Sequence, residues 1–457
     1  MIRVRARTQR RRGLDKLHRD VLHAMNVALA AADPARIIRE HLKLTGSILH
    51  VDKLQYPLKD YRRIFVIGGG KASGYMAEEI EKLLGNWITR GLVIIPDYLR
   101  PTPQSRRIRY HPATHPVPTG KGVESVLAML RLVDDISRDD LVIVLVSGGG
   151  SALMPLPVEG INLEDEAKVT SLLLRSGANI EEINTVRKHL SQVKGGRLAE
   201  RLYPATVLTL IISDVVGDKI DSIASGPTAP DPTTYHDVEI VLKKYGLWFQ
   251  IPTNVRRIIT RGLSGSIPGT PKQKDKVFRR VHNVIVGNNR ASCLAAASAM
   301  TKAGYRTQVL SIQITGEARE VGRILGSIVR DIRDNSLPFA SPAALIAGGE
   351  TTVTVRGKGK GGRNQELALA ASVKINGSDG VVVGSFATDG IEGRTNAAGA
   401  VADGSTITRG LRLRMDPEEF LRNNDSYRYF SKLKDLVITG PTGTNVNDIA
   451  IFAADSR

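Results

Sequence analysis

Two short apolar runs, each stopped by three consecutive glycines, restrict this chain more than any other feature. Ile64-Phe-Val-Ile67 runs into Gly68-Gly-Gly70, and the run 141–146 passes through Ser147 into Gly148-Gly-Gly150. A continuous apolar run of this length is the mark of a strand buried on both faces, as in a parallel sheet covered by helices. Around these runs, strand-like segments at 92–95 and 207–212 alternate with helical patterns at 121–135, 163–176 and 180–202. Met76, Ile80, Leu83 and Leu84 mark a further helix ending at Gly85. That alternation predicts an α/β fold with a Rossmann-like parallel sheet.

Residues 14–45 read as one helix. The Pro- and Gly-rich stretch Ser225-Gly-Pro-Thr-Ala-Pro-Asp-Pro232 breaks the pattern, and a domain boundary is placed just after it. Strands are expected at 284–287, 307–312, 343–347, 351–355, 381–387, 436–438 and 449–453, with helices at 291–303, at 317–333 and from Asn364. The expected organisation is a basic arm at 1–13, a Rossmann-like domain at 14–235 and a second α/β domain at 236–457.

Charge and cysteine content narrow the function classes. The chain has 64 basic and 46 acidic residues, a net charge of +18, and six of the arginines fall in the first 13 positions. Such a field attracts anions. With aromatics at 5% there is no arginine–aromatic interleaving, which disfavours nucleic acid as the partner and favours a basic cytoplasm-type protein with a solvated arm. One cysteine, Cys293, excludes an intrachain disulfide framework and fits a reducing, cytoplasmic setting. No run of ~18 apolar residues suggests a membrane span. The arm has no apolar core for a secretory signal.

The glycine turns carry the chemistry. Glycines let backbone N–H groups converge on an anion, and the helix that follows adds a favourable dipole. Two such turns, one bearing Lys71, point to phosphate or carboxylate binding at Gly68, Gly69, Gly70, Ser147, Gly148, Gly149, Gly150 and Ser151. Neither is a Walker A motif, and in the first the third glycine of a dinucleotide fingerprint is replaced by Ser73. Asp214 follows another apolar strand. It can hold Mg²⁺, which takes oxygen ligands, or cap a turn, and both readings stay open. Gly357-Lys-Gly-Lys-Gly-Gly-Arg363 packs three cations and four glycines ahead of a helix. Arg363 can clamp a phosphate or carboxylate bidentately. Thr388-Asp389-Gly-Ile-Glu392 brings acids to the end of the 381–387 strand. Lys71 and Arg363 have little evident packing to perform, so their removal is expected to leave the fold intact.

In order along the chain, Gly68-Gly-Gly-Lys-Ala72, His115-Pro-Val-Pro118, Val146-Ser-Gly-Gly-Gly-Ser-Ala152, Asn184-Thr-Val-Arg-Lys-His-Leu-Ser191, Ser225-Gly-Pro-Thr228, Gly348-Gly-Glu-Thr-Thr-Val353, Gly361-Gly-Arg-Asn-Gln-Glu366, Ala387-Thr-Asp-Gly390 and the polar turn 440–448 resemble the glycerate 2-kinase family. These are two-domain kinases with a C-terminal MOFRL domain, here about 340–455, and the resemblance covers about 14–455. It implies transfer of the ATP γ-phosphoryl group to the 2-hydroxyl of D-glycerate, with Mg²⁺, in a cleft between domains. Lys71 and Arg363 map onto the family's catalytic lysine and arginine. Asp389 is then a candidate to orient or deprotonate the acceptor hydroxyl, Glu350 to bind nucleotide or substrate, and Asp214 to hold metal. The rival implied by family labels is an NAD(P)H-dependent hydroxypyruvate reductase. A homodimer is compatible with either reading.

Overall fold

The computed structural model describes residues 7–8, 15–99 and 107–455. The chain forms two compact units, Ile37–Val286 and a second made of Met1–Arg36 with Gly287–Arg457. Among the described residues no helix is long and apolar enough to cross a membrane.

In the first unit the strands Arg63–Gly69, Arg90–Pro96, Ile108–Ala113, Asp140–Ser147, Thr206–Ile212 and Val281–Gly287 make one sheet. Their spatial order is 281–287, 206–212, 140–147, 63–69, 90–96, 108–113. The ladders joining the last five are all parallel. The chain therefore enters at the centre, moves outward on one side, then returns to move outward on the other. This is the doubly wound order, and its reversal point lies between 63–69 and 140–147. Every residue of Asp140–Ser147 is buried, which explains the unbroken apolar run. Helix Gly120–Leu132 lays Val126, Met129 and Leu130 on Phe65, Ile67, Val142 and Val144. Each such side chain taken from water contributes about 1.5–3 kcal/mol.

A second cluster joins helices Leu163–Arg175, Ile180–His189, Tyr235–Lys244 and Thr253–Leu263. Their starts are chemically marked: Asn162, Asn179 and Thr234 each accept a backbone N–H three residues on, and Asp165, Glu182 and Asp237 reach back. The helix expected over 180–202 ends at His189, Ser191 then bridges Pro157, and Gly195 and Gly196 take φ +57° and +83° before a new helix starts at Arg197.

The second unit holds a mixed sheet in the order 436–438, 399–403, 381–387, 448–454, 343–349, 306–314. The final strand, Asp448–Ala454, runs antiparallel between Ala343–Gly349 and Val381–Ala387. Helices Lys16–Ala31 and Asn289–Lys302 cover one face, and Ala318–Asn335 and Arg363–Lys374 the other. Helix Arg363–Lys374 is buried nearly all round, since Ala368, Leu369 and Ala370 face a third layer of helices beyond it.

Several expectations change. The segment 14–45 is not one helix: it is Lys16–Ala31 and Pro34–His41, interrupted at Asp33-Pro34, followed by a three-stranded meander over 42–57. The boundary lies at 286–287 rather than 235–236, because 235–263 packs into the helical cluster and 281–287 extends the parallel sheet. The first helix belongs with the second unit, where buried His18 bridges Asp15 at 2.9 Å and Asp403 at 3.0 Å. The 351–355 strand is absent: the chain leaves the sheet after Gly349, which pairs with Asp448, the first residue of its neighbour. Within the basic arm, Arg7–Thr8 pairs with Val437 and Ile438 as an edge strand, and the remainder of the arm lies outside the described residues.

Candidate active site

Ligands of open α/β sheets sit beyond the carboxyl ends of the strands at the reversal point. Both glycine turns lie there on adjacent strands, and they are joined. The Lys71 N–H donates to the Gly148 carbonyl at 2.8 Å, and the Ala72 N–H to Ser147 Oγ at 3.0 Å. Gly70 has φ +153°, and a Cβ there would fall 2.2 Å from Ser147 Oγ, so this approach needs glycine. Ser73, in place of the third fingerprint glycine, is buried with its hydroxyl donating to the Leu145 carbonyl at 3.3 Å.

Side chains gather around the second turn. A Cβ on Gly148 would lie 2.2 Å from Asp214 Oδ2, and one on Gly149 would lie 3.0 Å from the His115 ring and 3.3 Å from Lys71 Cγ. The turn is thus ringed by a lysine, a carboxylate and an imidazole. Ser151 Oγ lies 2.8 Å from Ser225 Oγ, which donates to Asn184 Oδ1 at 3.1 Å. The structure brings together Lys71, Gly68–Gly70, Ser147–Ser151 and Asp214, with His115, Asn184 and Ser225 beside them.

In the second unit a separate cluster grows from strand register. Asp448 stands opposite both Gly349 and Ala387, so Glu350, Asp389 and Asp448 leave the sheet at one end. Arg363 opens its helix with Gly362 as N-cap. Its Nε and Nη2 donate to the two carboxylate oxygens of Asp448, the second at 3.0 Å, and Nη1 pairs with Glu350 at 3.1 Å. Burial opposes the Arg363 charge, but Asp448, with Glu350 and Glu392, outweighs it and raises the pKa. This corrects the expectation that Arg363 has no structural work: it neutralises a buried aspartate. The Gly357–Lys360 loop is likewise tied down, its N–H groups donating to Asn423, Asn424 and Asp425. Asp389 Oδ1 accepts from the Ile391 N–H at 3.3 Å.

Glu392 completes this group. Its carboxylate accepts the N–H groups of Asn364 and Gln365 at 2.8 and 2.9 Å, where a helix favours an anion. Burial nevertheless dominates and, with Asp448 nearby, pushes its pKa up to about 8 from 4.5. The folded state then holds a proton that the unfolded state has lost between these two values. Stability should fall as pH rises from about 4.5 to about 8, and level off above. Urea denaturation across this range should show that slope weakened in Glu392→Gln, and an unchanged slope would assign it to other groups.

Among the described residues, no cluster of three or more His, Cys, Asp or Glu is placed to hold a metal ion. A Mg²⁺ carried by nucleotide phosphates needs only one or two protein carboxylates. Asp214, filling the space a Cβ on Gly148 would take, fits that lesser demand.

Two family models match the chain: a domain of unknown function, DUF4147, over residues 20–260, and the MOFRL family over 343–448. A D-glycerate 2-kinase of Thermotoga maritima is 41% identical over 437 residues, covering 96% of this chain and 98% of that protein. A protein of Agrobacterium vitis, provisionally named a hydroxypyruvate reductase, is 38% identical, covering 93% of this chain and 91% of its own length. The crystal structure of glycerate kinase from Thermotoga maritima superposes with a TM-score of 0.84 at 40% identity, covering 95% of this chain and 99% of that one.

Proposed function

The chain belongs to the glycerate kinase family with a C-terminal MOFRL domain, and from that premise we propose that it transfers the γ-phosphoryl group of ATP to the 2-hydroxyl of D-glycerate. The products are 2-phosphoglycerate and ADP. The observation that carries the reading is the pair of joined glycine turns at the sheet's reversal point, with Lys71 beside Gly149. Phosphoryl transfer needs positioning and charge stabilisation more than covalent chemistry; the second turn offers backbone donors, while the first, whose N–H groups are spent on Ile94, Gly148, Ser147 and Gly70, offers the Lys71 cation.

In this reading the turns hold phosphate and Lys71 offsets charge on the transferring group. Arg363, already braced by Asp448, presents the Nη1 edge that now meets Glu350. Asp389 orients or deprotonates the acceptor hydroxyl. Asp214 would hold Mg²⁺, which supplies charge neutralisation on the phosphates when bound. A cytoplasmic enzyme acting on small soluble substrates goes with this activity.

The reductase reading is disfavoured by Ser73, whose buried side chain occupies the helix–strand contact that a dinucleotide fingerprint leaves to glycine. Purified protein should form ADP from ATP, Mg²⁺ and D-glycerate. It should not oxidise NADH or NADPH with hydroxypyruvate, and the opposite pair of results would reverse the assignment.

A further inference from the structure

Arg187 lies on the last turn of helix Ile180–His189, half-buried, and its Nη2 donates to the Ser151 carbonyl at 3.4 Å. Glu166, the carboxylate that acts on it, and the acids beside Lys188 are matched by other cations. Glu166 is paired with Lys194 at 3.1 Å, and Asp221 and Asp231 with Lys188 at 2.9 and 3.4 Å. Among the described residues none of these acids, nor any other, forms an ion pair with Arg187. Burial lowers its pKa and Glu166 offsets this only in part. A guanidinium in this state is a poor structural element, because a half-buried cation without an anion loses solvation and regains little.

The groups beside it suit a small anion. Ser151 and Ser225 place two hydroxyls 2.8 Å apart, and Asn184 orients the second at 3.1 Å. Ala224 and Ser225, neither of them glycine, have φ +50° and +59°. Such left-handed conformations are costly and cluster where a binding site needs a side chain held in place. A planar guanidinium with adjacent hydroxyl donors matches a carboxylate bearing a neighbouring hydroxyl. The polyphosphate has a separate match in the backbone N–H groups of the second glycine turn and in Lys71 at the reversal point.

We propose that Arg187, with Ser151, Ser225 and Asn184, binds the carboxylate of the 2-hydroxy acid and is the residue that makes the enzyme select an acid over a neutral polyol. This rests on the kinase reading.

The test is steady-state kinetics on Arg187→Gln, Arg187→Lys and Ser151→Ala, with thermal melts as folding control. The expected result is an increase of about 10²-fold in KM for D-glycerate in Arg187→Gln, with KM for ATP within about twofold of the parent. Arg187→Lys should recover part of the loss, and Ser151→Ala should raise KM for D-glycerate by a smaller factor. Preference for D-glycerate over glycerol should fall by a similar factor. An unchanged KM for D-glycerate in a folded Arg187→Gln protein overturns the proposal, as does an equal rise in KM for ATP. If Arg187→Gln is folded but inactive, a D-glycerate-induced rise in Tm equal to the parent's overturns it, and its loss with the ATP-induced rise retained supports it. A parent protein that forms no ADP from ATP and D-glycerate would refute the kinase reading instead.

Discussion

Lys71→Ala should lower turnover about 10²–10³-fold while leaving the melting temperature near the parent value. The lysine's backbone makes a structural contribution that alanine keeps: the N–H donates to the Gly148 carbonyl and joins the two turns. The side chain runs beside Gly149, where its charge can meet a phosphoryl group. Loss of one donor aimed at transition-state charge typically costs about 3–4 kcal/mol of barrier. Turnover under saturating substrates, with a thermal melt of the same sample, separates the two effects. Near-parent turnover would remove Lys71 from the reaction, and a large fall in Tm would return it to a packing role.

Arg363→Ala should lose both activity and stability. Asp448 is nearly buried and receives two hydrogen bonds from this guanidinium. Removing one partner of such a pair leaves an uncompensated charge, at a cost of about 3–5 kcal/mol. Adding Asp448→Asn to Arg363→Ala should recover much of the lost stability, because the stranded charge goes too. It should not recover turnover, because the cation is still missing. Arg363→Lys should fall short on both counts, since an ammonium cannot repeat the two-pronged contact. Denaturant titrations and turnover on the single and double variants check this. Recovery of turnover in the double variant would reduce Arg363 to a structural ion-pair partner.

The parts of the fold that could be read directly are those whose local chemistry is unambiguous. The 140–147 strand is buried on both faces, so its apolar run has no competing reading. The helices read at 163–176 and from 180 begin in the structure at Leu163 and Ile180, where Asn162 and Asn179 cap them. The meander over 42–57 was hidden because each of its strands is only four residues long, and Gly46 with φ +61° is a weak signal alone. The domain boundary was misplaced for a different reason. The Pro-rich stretch at 225–232 is an internal loop of the first unit, and membership of the sheet by 281–287 depends on long-range pairing.

The site shows the same division. Lys71 and the glycines stand out because clustered glycines have few other uses. Arg363 stands out by its loop, but its partner Asp448 is 85 residues away and is specified by strand register. Glu392 reads as one acid among several at a strand end until its carboxylate is seen on the Asn364 and Gln365 N–H groups. Arg187 lies within a run that reads from sequence as the interior of a helix over 180–202. Its significance depends on which acids Lys188 and Lys194 have already matched.

The position of phosphorylation tests the account most directly. D-glycerate, ATP and Mg²⁺ are incubated with the protein, and the product is given to enolase alone or with phosphoglycerate mutase. Consumption by enolase without the mutase, at a rate the mutase does not raise, is the predicted result, because it requires the 2-phosphate. A strict requirement for the mutase would mean that the 3-hydroxyl is phosphorylated and would contradict the assignment.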